Sequence, residues 1–208
     1  MHINYFDFGL HNGDEIVMFS ESINSLKDKS LSVYGFEAHP DLCNRVKDRY
    51  KHASNIKIFN KAVSFQKGKT RLYIAKKNKM EGNSIFISKN NVDAENYVDV
   101  ETFKFSDWVK ESISNFKKSI NVVRFNIEGA EIYLIKDIIE SGIRDYIHLF
   151  LGSSGGEDIL KCTEIAHLHG EYMNMLEENK IKVYQFCKAS PNNVSNEKIQ
   201  QLILNAKQ

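Results

Sequence analysis

The sequence predicts an α/β fold, a mostly parallel sheet with helices on both faces. Two observations carry this reading. Short apolar runs alternate with stretches whose apolar residues recur at helical spacing, the mark of strands joined by crossover helices. The length of 208 residues suits one full core, since a chain of that size buries about 70% of its unfolded surface. No repeat and no linker-like stretch divides the chain. A single domain over residues 1–208 is therefore expected, with an insertion at about 67–104.

His2–Phe8 (HINYFDF) reads as the first strand and residues 9–13 as a tight loop. Residues 14–27 carry Ile16, Val17, Phe19, Ile23 and Leu26, which fits a helix. Residues 31–36 form a second strand, 40–50 a helix with His39 or Asp41 near its start, and Ile56–Phe59 a third strand. The pattern then changes. Residues 69–75 (KTRLYIA) and 98–103 alternate like strands across a polar stretch, which predicts a β-hairpin or lid inserted after the third strand. A helix from Ser106 to 116 leads to Ile120–Phe125, the fourth core strand, and residues 130–141 form its crossover helix, ended by Gly142. Residues 146–151 and 181–186 supply two further strands around a long helix over 157–179. A terminal helix spans 195–206, with Ser195 as its N-cap.

The charge balance narrows the function. With 28 basic and 27 acidic side chains, the formal net charge of +1 provides no global field to hold nucleic acid. No apolar run approaches the ~20 residues of a membrane span, and no basic-then-apolar leader opens the chain, so a soluble, cytoplasmic protein is the default expectation. Cys43, Cys162 and Cys187 are too few and too far apart for a disulfide framework or a zinc knuckle, and read as reduced thiols. His167 and His169 stand two apart on an expected helix and point to different faces, so no metal site is expected.

Three strand ends carry chemistry. In Asp7-Phe8-Gly9-Leu10-His11-Asn12-Gly13 a glycine-rich turn lets backbone N–H groups approach a ligand at the start of a helix. The dinucleotide fingerprint G-x-G-x-x-G is absent, and Asp7 would repel a pyrophosphate, so the loop suits a ligand with a cationic head. Glu37 ends the second strand in Gly35-Phe36-Glu37-Ala38-His39-Pro40, where a carboxylate can accept hydrogen bonds from vicinal ribose hydroxyls. Ribose without pyrophosphate, joined to a cationic amino-acid head, describes S-adenosylmethionine. At the end of the fourth strand, Asn126-Ile127-Glu128-Gly129-Ala130-Glu131 places an amide and two carboxylates at a strand-to-helix turn that opens toward the same crevice.

With these residues in hand, the chain resembles the FkbM-type branch of class I S-adenosylmethionine-dependent methyltransferases. The matching segments are DFGLHNG (7–13), GFEAHP (35–40), NKAV (60–63) and RFNIEGAE (124–131). The resemblance implies a Rossmann-like, seven-strand-type sheet with the cofactor S-adenosyl-L-methionine over the first two strands. By it, Asp7, Gly9, His11, Asn12 and Gly13 line the methionine and ribose side, and Glu37 and Ala38 hold the ribose. Asn60 and Ala62 lie near adenine, and Asn126 touches the cofactor. Family members mostly methylate hydroxyl oxygens of sugars, antibiotics and other secondary metabolites. This chain departs from the family pattern at His11, where asparagine is usual, and at Asn126, where aspartate is usual. The loop at 151–156 also lacks a Glu-x-His-like element.

An alcohol is a poor nucleophile, so a base within hydrogen-bond reach should help remove its proton. Glu128 is the favoured candidate, with Glu131, His39 and His11 behind it; the plainer account of His39 is a helix cap. Six cations within residues 67–79 (Lys67, Lys69, Arg71, Lys76, Lys77 and Lys79) form a basic edge. That edge either protects an edge strand or, through Lys76 and Lys77, meets an anionic acceptor such as a phosphorylated or uronic sugar. In MEGNSIF (80–86), Asn83 and Ser84 are candidate acceptor contacts. The leading expectation is an O-methyltransferase acting on a saccharide or small metabolite, with self-association left open. An RNA ribose methyltransferase, a cofactor- or partner-binding module that lost turnover, and a nicotinamide oxidoreductase are the alternatives.

Overall fold

The computed structural model describes residues 1–77, 81–153 and 155–206. β1 (His2–Phe8), β2 (Ser30–Phe36), β3 (Ile56–Phe59), β7 (Ile120–Phe125), β8 (Ile147–Gly152) and β9 (Val183–Gln185) form one sheet in the order β3-β2-β1-β7-β8-β9, every neighbouring pair parallel. Helices α1 (Asp14–Ser22), α2 (Pro40–Arg49), α4 (Glu131–Glu140), α6 (His169–Glu178) and α7 (Asn196–Asn205) belong to the connections and the tail. This is the parallel α/β arrangement that alternating apolar runs and helices predict, and the Rossmann-like one that the family resemblance implies. The sheet has six strands among the described residues rather than seven, because the chain after β9 enters α7, which packs beside α1.

The inserted hairpin exists. β4 (Ala62–Val63), β5 (Gly68–Ala75) and β6 (Val92–Phe103) make a second sheet, β4-β6-β5, with β5 and β6 antiparallel. β6 starts at Val92 rather than at residue 98, because a bulge at Tyr73/Ile74 lets Asp93 and Val92 continue the pairing with Ile74 and Ala75. Phe103 carries this sheet onto the main one: its ring stacks 4.6 Å from Phe36 and 6.4 Å from Phe8.

Side chains of β1 alternate between two cores, as period 2 requires. Phe6 and Phe8 join Phe36, Phe105, Val123 and Phe125 on one face. Ile3 and Tyr5 join Ile16, Phe19, Val33, Val122 and Ile199 on the other. Asp7 belongs to that second face, and its register partner on β7 is Arg124. Arg124 Nη1 donates to Asp7 Oδ1 at 3.0 Å and to the Gly9 carbonyl at 2.8 Å, while Nη2 lies 3.5 Å from Glu15 Oε1. Asp7 and the Arg124 side chain are both essentially without solvent exposure.

Four further expected elements differ. The first helix ends at Ser22 rather than 27; Ser20 and Ser22 bond back to the Ile16 and Met18 carbonyls, and the still-buried Ile23 and Leu26 follow in a turn. The helix expected to 116 is α3 (Phe105–Ser112) followed by a 3₁₀ turn at Phe116–Lys118; Asp137 of α4 caps α3 from outside, accepting from Ser106 N–H and Oγ at 2.7 and 2.6 Å. The long helix over 157–179 is broken into α5 (Glu157–Leu160), a 3₁₀ turn (Ala166–Leu168) and α6. The break lets residues 161–164 meet the insertion, with Asn90 N–H on the Lys161 carbonyl at 3.1 Å and Glu164 N–H on Ser88 Oγ at 3.1 Å. The last strand shrinks to β9. Ser195 does cap α7, accepting from Lys198 N–H at 3.2 Å. Among the described residues no helix is long and apolar enough to cross a membrane, and all three cysteines are free thiols.

Removing one member of a buried ion pair strands the other. Arg124→Met is therefore expected to lower unfolding free energy by about 3–5 kcal/mol in urea titration, and Asp7→Asn combined with Arg124→Met to recover most of that loss. Equal destabilisation in the single and double variants would refute the pairing.

Candidate functional site

β1, β2 and β3 spread in one direction, β7, β8 and β9 in the other, so the strand order reverses beside β1. Crevices form at the carboxyl ends of strands at such a point. A cavity of about 670 Å³ opens there, walled by the ends of β1, β2 and β7 and by the insertion, a size that holds a cofactor-sized molecule.

Its floor is the turn after β1. Gly9 has φ +82°, and a Cβ on it would lie 2.0 Å from the Asn126 carbonyl oxygen. Only glycine lets the chain pass that close to the end of β7. Gly9 N–H bonds to Phe36 O at 2.9 Å and Asn126 N–H to Phe8 O at 3.0 Å, which locks three strand ends together. From α2 and just beyond it, Arg49 Nη1 donates to Asn12 O and Tyr50 OH to Gly13 O, each at 2.7 Å.

Glu37 stands where β2 ends. Its Oε2 accepts His11 N–H at 2.8 Å and its Oε1 accepts His39 N–H at 2.9 Å. The first of these bonds holds His11 in a left-handed conformation, φ +51°. Burial pushes the Glu37 carboxyl up to about 7, the two amide bonds pulling against it. Asn60 Nδ2 donates to the carbonyls of Glu37 and Ala38 at 2.9 and 2.8 Å, fixing the chain beyond β2.

The turn after β7 closes on itself. Glu131 accepts Ile127 N–H at 2.8 Å and Gly129 N–H at 2.7 Å, satisfying amides that the start of α4 leaves open. Burial pushes this carboxyl up to about 7, with Asp158 adding to the rise. Glu128, at φ +58°, turns the other way and enters the cavity wall. It is ion-paired with Lys89, and Ser84 Oγ donates to its carbonyl at 2.8 Å. Burial and Asp158 raise its pKa, Lys89 lowering it.

Of the residues singled out from sequence, Gly9, His11, Asn12, Glu37, Ala38, Ala62, Asn83, Asn126 and Glu128 line this one cavity. The others lie outside its described wall. Asp7 is engaged by Arg124 beneath the turn. Gly13 precedes α1 in a left-handed conformation. His39 caps α2, its Nδ1 accepting from Asp41 N–H at 3.2 Å, and burial lowers its pKa. Ser84 and Glu131 brace the turn around Glu128, and Asn60 the chain beyond Glu37. Lys76 and Lys77 are exposed on the hairpin; Lys79, Met80 and Ser154 fall outside the described residues. Sequence reasoning missed Arg124, Glu15, Glu81 and Lys188 in the wall, and Lys89 behind Glu128. Only a strand arginine at the residue pairing with Asp7 offered a signal, and that required the register.

Glu37 and Glu131 titrate near 7 in the folded chain against about 4.5 when unperturbed. The folded state thus holds protons that the unfolded chain has released, so stability is full below about pH 4.5 and falls as pH rises through 7. Each group is expected to contribute up to ~1.4 kcal/mol per pH unit across that window. Urea midpoints from pH 5 to 8 should show the decline, and Glu37→Gln and Glu131→Gln should each flatten it; an unchanged slope in both counts against these assignments.

No curated protein and no solved structure matches the chain. Residues 7–183 match the family described as Methyltransferase FkbM domain. That span runs from the buried aspartate of β1 to the first residue of β9, taking in every strand end that walls the cavity, and the chain belongs to the FkbM methyltransferase family.

Proposed function

We propose that the chain uses S-adenosylmethionine to methylate a hydroxyl of a saccharide or small metabolite. The observation that carries this reading is Glu37, a buried carboxylate in the cavity wall whose two oxygens are each oriented by one main-chain amide. Each oxygen keeps a further lone pair, which suits vicinal ribose hydroxyls. Apolar side chains beside it, Ala38, Leu42, Ala62 and Leu72, suit a flat base. The cluster of Asp7, Glu15 and Arg124 sets two carboxylates against one guanidinium, which favours a cationic head and disfavours a pyrophosphate.

When bound, that cofactor supplies an electrophilic methyl carbon activated by a sulfonium charge. The chain's task is to hold an acceptor oxygen at about 3–3.5 Å in line and to keep water away. On this reading Glu128 takes the hydroxyl proton, a role supported by its position in the cavity wall. His39 and Glu131 are occupied, the one as a cap and the other by two amides. Asn83, whose Oδ1 accepts Ala75 N–H at 2.8 Å, stands in the same wall as an acceptor contact. Five carboxylates line the cavity, Asp14, Glu15, Glu37, Glu81 and Glu128. The lysines and the arginine that line it are engaged, Lys61 with Glu101 at 3.4 Å, Lys188 with Asp14 at 2.7 Å and Arg124 with Asp7 at 3.0 Å. This balance favours a neutral polyhydroxylated acceptor over an anionic one.

Calorimetric titration with S-adenosylmethionine and S-adenosylhomocysteine should give binding that Glu37→Ala weakens by tenfold or more, about the worth of one hydrogen bond to a charged group. Affinity should rise from pH 6 to 8 as Glu37 ionises. A folded wild-type protein that binds neither would sink the reading. Transfer of a labelled methyl group to a panel of neutral and anionic saccharides should fall by about 10²–10⁴ in Glu128→Gln while cofactor binding persists. Unchanged transfer in that variant would remove Glu128 as the base.

A further inference from the structure

Lysine is almost never fully buried without a partner. The Lys89 side chain is only 2% exposed, and three elements meet on it. It donates to the Gly82 carbonyl at 3.2 Å within the insertion, pairs with Glu128 Oε2 in the turn after β7, and lies 3.8 Å from Asp158 Oδ1 of α5. Its backbone is pinned as well, through a bridge to Cys162 and through N–H on the Phe86 carbonyl at 3.3 Å. Ser84 fastens the same segment to the Glu128 carbonyl.

A buried ion pair is a poor source of stability, because desolvation offsets most of the attraction. Glu128 also adopts a left-handed backbone, which is strained in a non-glycine residue. Both costs converge on the one acidic side chain of this turn that reaches the cavity. Glu131, three residues on, faces away and is consumed by amides. The charged and titratable groups around Glu128 are Lys89 from the insertion, Asp158 and Lys161 from α5 and the residue after it, Cys162 beside them, and Glu131 from α4.

We infer that Lys89 is a positioning residue: it fixes one carboxylate oxygen of Glu128 and leaves the other directed to an acceptor hydroxyl. This rests on the methyl-transfer reading of the cavity. Lys89 touches neither ligand. It favours the ionised form of Glu128 against burial and the nearby Asp158, and it makes the base competent only while the insertion is docked.

The test is a carbon NMR titration of protein labelled at the glutamate carboxyls, with the Glu128 signal identified by its loss in Glu128→Gln. Lys89→Met should raise the Glu128 midpoint by about one pH unit or more, a tenfold change in proton affinity. Lys89→Arg should restore it, and Asp158→Asn should shift it down. An unmoved midpoint in Lys89→Met overturns the inference, since a lysine that merely braces the fold would alter stability and not this titration. Should Lys89→Met fail to fold, the ammonium protons of Lys89 in the otherwise native Glu128→Gln protein decide the matter. Their exchange should quicken tenfold or more, and unchanged protection overturns the pairing. S-adenosylhomocysteine titration of the same samples separates the two readings. Wild-type protein that fails to bind it removes the methyl-transfer reading, while the Glu128 titration still decides whether Lys89 positions that carboxylate.

Discussion

The cross-strand ion pair between Asp7 and Arg124 is the constraint on which the cavity depends. Both residues sit at the same register on adjacent central strands, pointing into the face covered by α1. An arginine there would be prohibitively costly alone; with Asp7 at 3.0 Å and Glu15 at 3.5 Å its charge is compensated. Burial opposes the guanidinium's charge, but Asp7 and Glu15 outweigh it and hold its pKa above the ordinary value. The same guanidinium donates to the Gly9 carbonyl, so the ion pair reaches past the sheet and fixes the turn that forms the cavity floor. Charge compensation and site geometry are thus one arrangement, and Asp7, with Arg124 on Oδ1 and the Tyr5 hydroxyl on Oδ2 at 3.3 Å, lies fully buried beneath the turn.

Glu37 shows a similar economy on the neighbouring strand. Two amides, one from the turn after β1 and one from the start of α2, converge on its carboxylate. Those bonds pull three segments into register and pre-orient the oxygens. Burial pushes the carboxyl up to about 7, with the His39 and His11 amides and the charge of Arg124 pulling it down only in part. On the proposed reading this is useful: a carboxylate without a cationic partner keeps its remaining lone pairs for neutral hydroxyl donors. Arg124 would have occupied them had it stood beside Glu37 instead of Asp7.

What was legible in sequence follows the range of the signal. Strand and helix periods are local, so the six core strands and the inserted hairpin could be read directly. Gly9, Glu37, Asn126 and Glu128 were recognisable because strand ends in a parallel sheet gather at one edge, and these residues do line one cavity. Roles set by pairing were not legible. Asp7 resembled a ligand group until its register partner, 117 residues away, turned out to be arginine. His39 offered a titratable ring, yet its position before Pro40 makes it a cap. The broken helix after β8 was hidden because its interruption is dictated by contacts with residues 88–90, not by a glycine or proline in the break.

The two ends of the cavity are consequently built by different physics. The end near Glu37 is built at strand termini, from main-chain bonds at Gly9 and Asn126 and from the Glu37, Asn60 and Arg124 side chains that bond to main chain there. The end near Glu128 needs the insertion: Ser84 and Lys89 reach across from it to hold a strained turn, and Phe86 packs where a Cβ on Gly129 would come within 3.1 Å of its ring. A cofactor is common to many reactions, whereas an acceptor is particular to one. On the proposed reading, changes in the 81–91 segment act first on the acceptor side: among the described residues its backbone makes no bond to the turn after β1, and its side-chain reach to that turn is Glu81 Oε1, 3.5 Å from His11 Nε2. On the proposed reading, the cofactor end is thus held at the strand termini and the acceptor end by side chains of the insertion.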